Sequence, residues 1–149
     1  MTDLTDAHID LWVAAMRFTG GLQQDIDAAL KAHGLPTLAV YDLLLEIWRA
    51  GEHGIRPVEM QQRLLISQYN LSRHIARLVD AGWVARHTVD EDGRGQLLTL
   101  TPAGQDLRAR MWEIYRASLH DALADGIAAD EAAVMAEHLR NITDNLARE

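Results

Sequence analysis

The sequence predicts a mainly α-helical chain with one small β-hairpin in its middle third. Three observations predict it. Apolar residues recur at helical spacing over most of the 149 residues. Capping and stopping signals, with Ser67 and Thr101 ahead of such runs and Gly82 behind one, divide the pattern into separate helices. Finally, "WVARHTV" at 83–89 and "QLLTLT" at 96–101 flank "DEDGRG", whose glycines and aspartates suit a hairpin loop.

The first helix opens with Ile9, Trp12, Val13 and Met16 on one stripe, and the pattern resumes after Gly20-Gly21 as Leu22, Ile26 and Leu30. The two stripes are out of phase, so the glycine pair marks either a bend or a place where another helix packs very close. "AHGLPT" at 32–37 stops this helix, and "LAVYDLLLEIWRAG" from 38 is a second one, apolar enough to be largely buried. Gly51 and Gly54 bracket a short connector. Pro57 opens a short third helix with Met60, Leu64 and Leu65 facing inward, and Ile66 is a turn residue. Ser67 caps a fourth helix that ends at Gly82, and the hairpin follows. Thr101 and Pro102 then start a helix carrying Leu107, Met111, Ile114 and Tyr115. A last helix from near Asp130 aligns Met135, Leu139, Ile142 and Leu146.

Composition places the chain among soluble globular proteins, with 48% hydrophobic and 24% charged residues. No apolar run approaches the roughly 18 residues of a membrane span, and the acidic N-terminus does not resemble a signal peptide, so a cytoplasmic location is expected. The absence of cysteine excludes disulfides and thiolate metal ligands. The net charge of −8 is unevenly spread. Residues 56–110 hold eight arginines against six acids, which leaves +2 there and −10 for the remainder. An acidic frame around a basic middle suits one phosphate-facing surface, against the alternative of chance scatter.

The fourth helix explains that middle. At 100° per residue, Ile75, Leu78 and Val79 fall within about 80° of Leu71, while Tyr69, Arg73, Ala76 and Arg77 lie opposite. A short helix, a tight turn and a second helix offering arginines form a helix-turn-helix, whose second helix enters the major groove. Asn70 suits adenine and Arg73 suits guanine. The DNA-facing set is therefore Ser67, Gln68, Tyr69, Asn70, Ser72, Arg73 and Arg77, with Arg94 at the hairpin tip reaching a minor groove. Asp92 is expected to brace the tip, accepting from the turn or pairing with Arg86. The competing reading of the same arginines is a solvated helix face.

The run from Pro57 to Gly104 resembles the winged helix-turn-helix of MarR-type transcriptional regulators. It carries the serine-led "LSR" helix, the spacing of Leu78, Gly82, Val84 and Arg86, the wing "DGR" of Asp92, Gly93 and Arg94, and "LT-x-x-G" ending at Gly104. The resemblance implies one MarR-like domain over 1–149. Within it, 38–104 would be the DNA-binding part, and 5–33 with 105–147 would be N- and C-terminal dimerisation helices. It implies a homodimer on a near-palindromic double-stranded operator. The unpaired terminal stripes argue for the same partner on separate grounds, with an intramolecular bundle as the alternative.

Catalytic chemistry has no visible support. No serine has a histidine beside it, and the seven histidines show no pair at i, i+3 or i, i+4, so neither an enzyme nor a metal site is expected. Nor is a cofactor. The resemblance places Trp12, Met16, Trp48 and Trp112 near a crevice that takes small aromatic or phenolic acids in the family; core packing is the competing account of these tryptophans. The sequence thus reads as a ligand-responsive dimeric repressor, with a winged-helix module that binds protein instead of DNA as the alternative.

Overall fold

The computed structural model describes residues 2–64, 67–89 and 95–146. Two compact units make up the chain. One combines residues up to Leu22 with those from Arg116 onward, and the other runs Gln23–Tyr115.

Helix α1 (Asp6–Ala32) continues without interruption through Gly20 and Gly21. Beyond the helix's own neighbouring turns, no described residue lies within 4 Å of where a Cβ would stand at either glycine. The boundary between the units falls just beyond it, where the apolar stripe changes phase. Ile26 and Leu30, downstream, are buried in the larger unit, whereas Trp12 and Met16, upstream, are exposed.

In the larger unit, α2 (Leu38–Ala50) buries six residues, as its apolar sequence demands. Its N-cap, Thr37, makes no side-chain cap. Instead Asp27 of α1 accepts a 2.7 Å hydrogen bond from the Leu38 N–H, satisfying one of the first-turn donors from a neighbouring helix. A 3-10 turn, Gly51–His53, leads to Ile55, which exchanges two backbone hydrogen bonds with Leu98 at 3.0 and 2.9 Å. The residue just after the second glycine therefore adds a single-residue bridge to the sheet, which the sequence reading did not foresee.

Helix α3 (Pro57–Leu64) turns Met60 fully inward. Helix α4 (Gln68–Asp80) begins as expected, with the Ser67 hydroxyl accepting from the Asn70 N–H at 3.3 Å. It ends in a Schellman motif. Gly82, at φ +80°, donates to the Val79 carbonyl and Trp83 to that of Leu78, both at 3.0 Å.

Strands β1 (Val84–Thr88) and β2 (Gln96–Leu100) pair antiparallel, Val84 opposite Leu100 and Thr88 opposite Gln96. Helix α5 (Pro102–Leu119) is tied back to the end of α4. Thr101 donates its hydroxyl to the Gly82 carbonyl at 2.6 Å and accepts from the Gly104 N–H at 3.1 Å, while its own N–H bonds the Trp83 carbonyl at 3.0 Å. A Cβ on Gly104 would run into that Trp83 carbonyl. Glycine is required there by the close passage of backbone, not by its dihedral freedom.

In the smaller unit α5 passes into a π-helical turn, His120–Ala124, which helical periodicity did not predict. Helix α6 (Ala129–Leu146) buries none of its residues. Its stripe of Met135, Leu139, Ile142 and Leu146 is between 48% and 74% exposed, so the described residues cover these side chains only in part. No described helix is long and apolar enough to cross a membrane.

Candidate nucleic-acid interface

Helix α4 is amphipathic in the sense the sequence required. Leu71, Ile75 and Leu78 are buried, while Ser67, Gln68, Tyr69, Asn70, Ser72, Arg73 and Arg77 are all exposed. From its first turn to its last, the helix thus sets polar side chains and two arginines on one solvent-facing side. The Arg73 guanidinium lies 5.6 Å from the centre of the Tyr69 ring, four residues earlier, so Arg73 is steadied by a cation–π contact as well as offered outward.

A tie between α3 and α2 is a feature the sequence reading missed. Glu46, on the buried side of α2, accepts from Arg63 of α3 at 3.2 Å and from Arg49 at 3.1 Å, using one carboxylate oxygen for each. Both arginines keep about half of their side-chain surface in water, so only the carboxylate is substantially desolvated. The only signal in the sequence was a lone acid in the apolar run "LLLEIW".

On the hairpin, Arg86 is exposed and its guanidinium reaches Gln96 at 3.4 Å. Its expected partner Asp92, and the tip residue Arg94, lie outside the described residues. His87 and Thr99 meet diagonally across the strands, with Nε2 and Oγ1 2.8 Å apart.

The tryptophans are not core residues of the chain. Trp12 is 65% exposed, Trp48 47% and Trp112 38%. Trp12 and Met16 belong to the smaller unit and the other two to the larger. Trp112 packs with Tyr41 and Tyr115, its ring centre 6.3 Å from Tyr41 in a stacked arrangement and 5.5 Å from Tyr115 edge-on. Trp48 is covered on one side by the guanidinium of Arg108, 4.1 Å from the ring centre. Near the aromatic cluster, partial burial and then the carboxylates of Glu46 and Asp27 push the Asp42 carboxyl above its ordinary value. Burial, the Asp42 charge and Tyr41 raise the Tyr115 phenol likewise. Among the described residues no group of three His, Asp or Glu side chains gathers as a metal site would require.

Comparison with known proteins agrees with this architecture. Residues 33–95 match the model of the MarR family. The multiple antibiotic resistance protein MarR of Escherichia coli K12 is 33% identical over 88 residues, 59% of this chain and 61% of that protein. The HTH-type transcriptional regulator PrsX of Escherichia coli is 31% identical over 83 residues, 56% of this chain and 49% of PrsX. The chain therefore matches half to three fifths of these curated relatives. Among solved structures, AbsC, a MarR family transcriptional regulator from Streptomyces coelicolor, superposes with a TM-score of 0.87 at 22% identity, each chain covered completely. A mutant MarR from E. coli complexed with operator DNA gives 0.78 at 25% identity, covering 95% of this chain and 99% of that one.

Proposed function

We propose, from the premise that residues 33–95 form a MarR-family winged helix-turn-helix, that this chain is a sequence-specific transcriptional regulator. The family is one of regulators, not of enzymes. In this reading the protein works as a cytoplasmic homodimer on a near-palindromic operator in double-stranded DNA. It represses until a small aromatic effector binds, and it needs no cofactor. One observation carries the reading: a capped helix whose whole polar face, Gln68, Asn70, Ser72, Arg73 and Arg77, is exposed while its apolar face is buried. Such a helix has its N-terminal residues free to meet base edges in a major groove. The structure of a mutant E. coli MarR complexed with operator DNA supports it by likeness.

Asn70 and Arg73 are assigned to base reading, Arg77 and Arg94 to phosphate or groove contacts, and Ser67, Gln68, Tyr69 and Ser72 to the surrounding DNA face. Asp92 and Arg86 shape the wing. Trp12, Met16, Trp48 and Trp112 remain the proposed effector contacts. The test is fluorescence anisotropy with duplexes flanking the protein's own gene. Arg73→Ala should cost about 1–3 kcal/mol per half-site and relax preference at one symmetric position. Equal binding of operator and scrambled duplex, or operator affinity untouched by Arg73→Ala and Arg77→Ala together, would sink the reading.

A further inference from the structure

Away from the DNA-facing helix, the larger unit holds a cavity of about 380 Å³ at the root of the hairpin. Its walls come from the end of α2, the Gly51–His53 turn, both strands and the start of α5, and include Trp48, Glu52, His87, Thr99, Leu100 and Gln105. Small-molecule sites run from about 300 to 1,000 Å³ and combine apolar walls with a few convergent polar groups. This cavity has that make-up. Trp48 and Leu100 supply the apolar surface, and a carboxylate, an imidazole, a hydroxyl and an amide supply the polar atoms. The 2.8 Å contact between His87 Nε2 and Thr99 Oγ1 fixes the imidazole and leaves Nδ1 as its other polar atom.

The charges around the cavity narrow what it can take. Glu52 is the one formally charged residue on the wall, and its carboxylate opposes an anion. Arg108, which is not on the wall, sits 4.1 Å from the centre of the Trp48 ring. That guanidinium already engages the ring's negative face, so the indole offers a second cation little further attraction. Arg108 Nε is itself shielded from water with no hydrogen-bond partner, which is consistent with a guanidinium seated by stacking on the indole.

We propose that the hairpin-root cavity binds an uncharged planar heteroaromatic molecule with an N–H edge, which stacks on Trp48 and hydrogen-bonds Glu52 and His87. The ligand class differs from the aromatic acids that family resemblance implies. Because both strands and α5 share the cavity, occupancy fixes the hairpin against the body of the unit. A hairpin so fixed would alter operator affinity, and only that consequence rests on the DNA-binding reading.

The experiment therefore uses the full chain without DNA. The 15N-labelled protein is titrated with 7-azaindole, an uncharged fused ring with an N–H donor, and with 2-naphthoate, an anion of similar shape. The expected result is saturable shifts of the Trp48 indole N–H and the Glu52, His87, Thr99 and Gln105 amides with 7-azaindole, and binding about tenfold weaker for 2-naphthoate. Glu52→Gln should bring the two within about threefold of each other by removing the carboxylate's repulsion. Gln105→Trp, which fills the mouth from an exposed helical position, should abolish the shifts while leaving the melting temperature and dimer mass as they were. Shifts centred elsewhere, no saturable shift, or an equal or tighter naphthoate complex in the unsubstituted chain would each overturn the proposal. A failed operator titration would leave these results standing, and their failure would leave operator binding standing.

Discussion

Gly104 illustrates how one residue can be fixed by its neighbour's backbone. It stands in the first turn of α5, where alanine would ordinarily raise helix propensity by about 1 kcal/mol. Here the added Cβ meets the Trp83 carbonyl, which also accepts the Thr101 N–H and has little room to retreat. Gly104→Ala should destabilise the fold by about 3 kcal/mol, and urea denaturation reads this directly; an unchanged midpoint would show that the backbone gives way. Asp42 makes a different kind of prediction. Its carboxyl is raised from the ordinary 3.8, so the ionised form is disfavoured in the folded protein. The stability it contributes is complete below that ordinary value and is lost as pH rises through the folded one. Asp42→Asn should therefore melt higher than the unsubstituted chain near neutral pH, and the two should converge in acid. Since the Asp42 charge is one cause of the raised Tyr115 phenol, the same variant should lower the Tyr115 titration toward its usual range, as followed by ultraviolet absorbance.

At the scale of elements, Glu46 ties α3, the first helix of the helix-turn-helix, to α2. Replacing it with glutamine keeps the shape but removes the charge that holds Arg63 and Arg49. The expected cost is about 1–2 kcal/mol, limited because both arginines are half in water. Operator affinity should fall with it although Glu46 faces no DNA; an unaltered affinity would mean that α3 is held by packing alone. This clamp also shows where the sequence stopped being legible. Elements announced by local signals were readable: Ser67 and Gly82 delimit α4, Thr101 and Pro102 open α5, and the alternation on either side of the turn residues gives the hairpin. The outward set from Gln68 to Arg77 was readable too, because helical phase alone places it opposite Leu71. Interactions between distant residues were not, since neither the Asp27 cap on Leu38, eleven positions away, nor the Glu46–Arg63 pair, seventeen away, leaves a periodic trace. The Ile55–Leu98 bridge is one residue long and has no alternation to detect. The π-helical turn at His120–Ala124 shares the composition of an ordinary helix.

For the whole molecule, the decisive feature is that α6 buries nothing and that Leu11, Phe18, Leu139 and Ile142 line an apolar groove within the smaller unit. Surface of this kind is what the proposed homodimer would cover. Light scattering should give twice the 16.6 kDa of one chain at micromolar concentration. Leu139→Glu, which sets a carboxylate into the groove, should shift the mass toward one chain or cause aggregation, and a mass of one chain without substitution would refute the dimer. The change of phase in α1 has a consequence for inheritance. Residues before Gly20 answer only to whatever covers the smaller unit, whereas Ile26 and Leu30 answer to the winged-helix core. Under the proposed dimeric, operator-binding reading, substitutions before the glycine pair would change which copies pair with one another and leave the reading helix as it was. A chimera spliced at the glycine pair, taking its ends from one lineage and its centre from another, would inherit its companions from the first and its genes from the second.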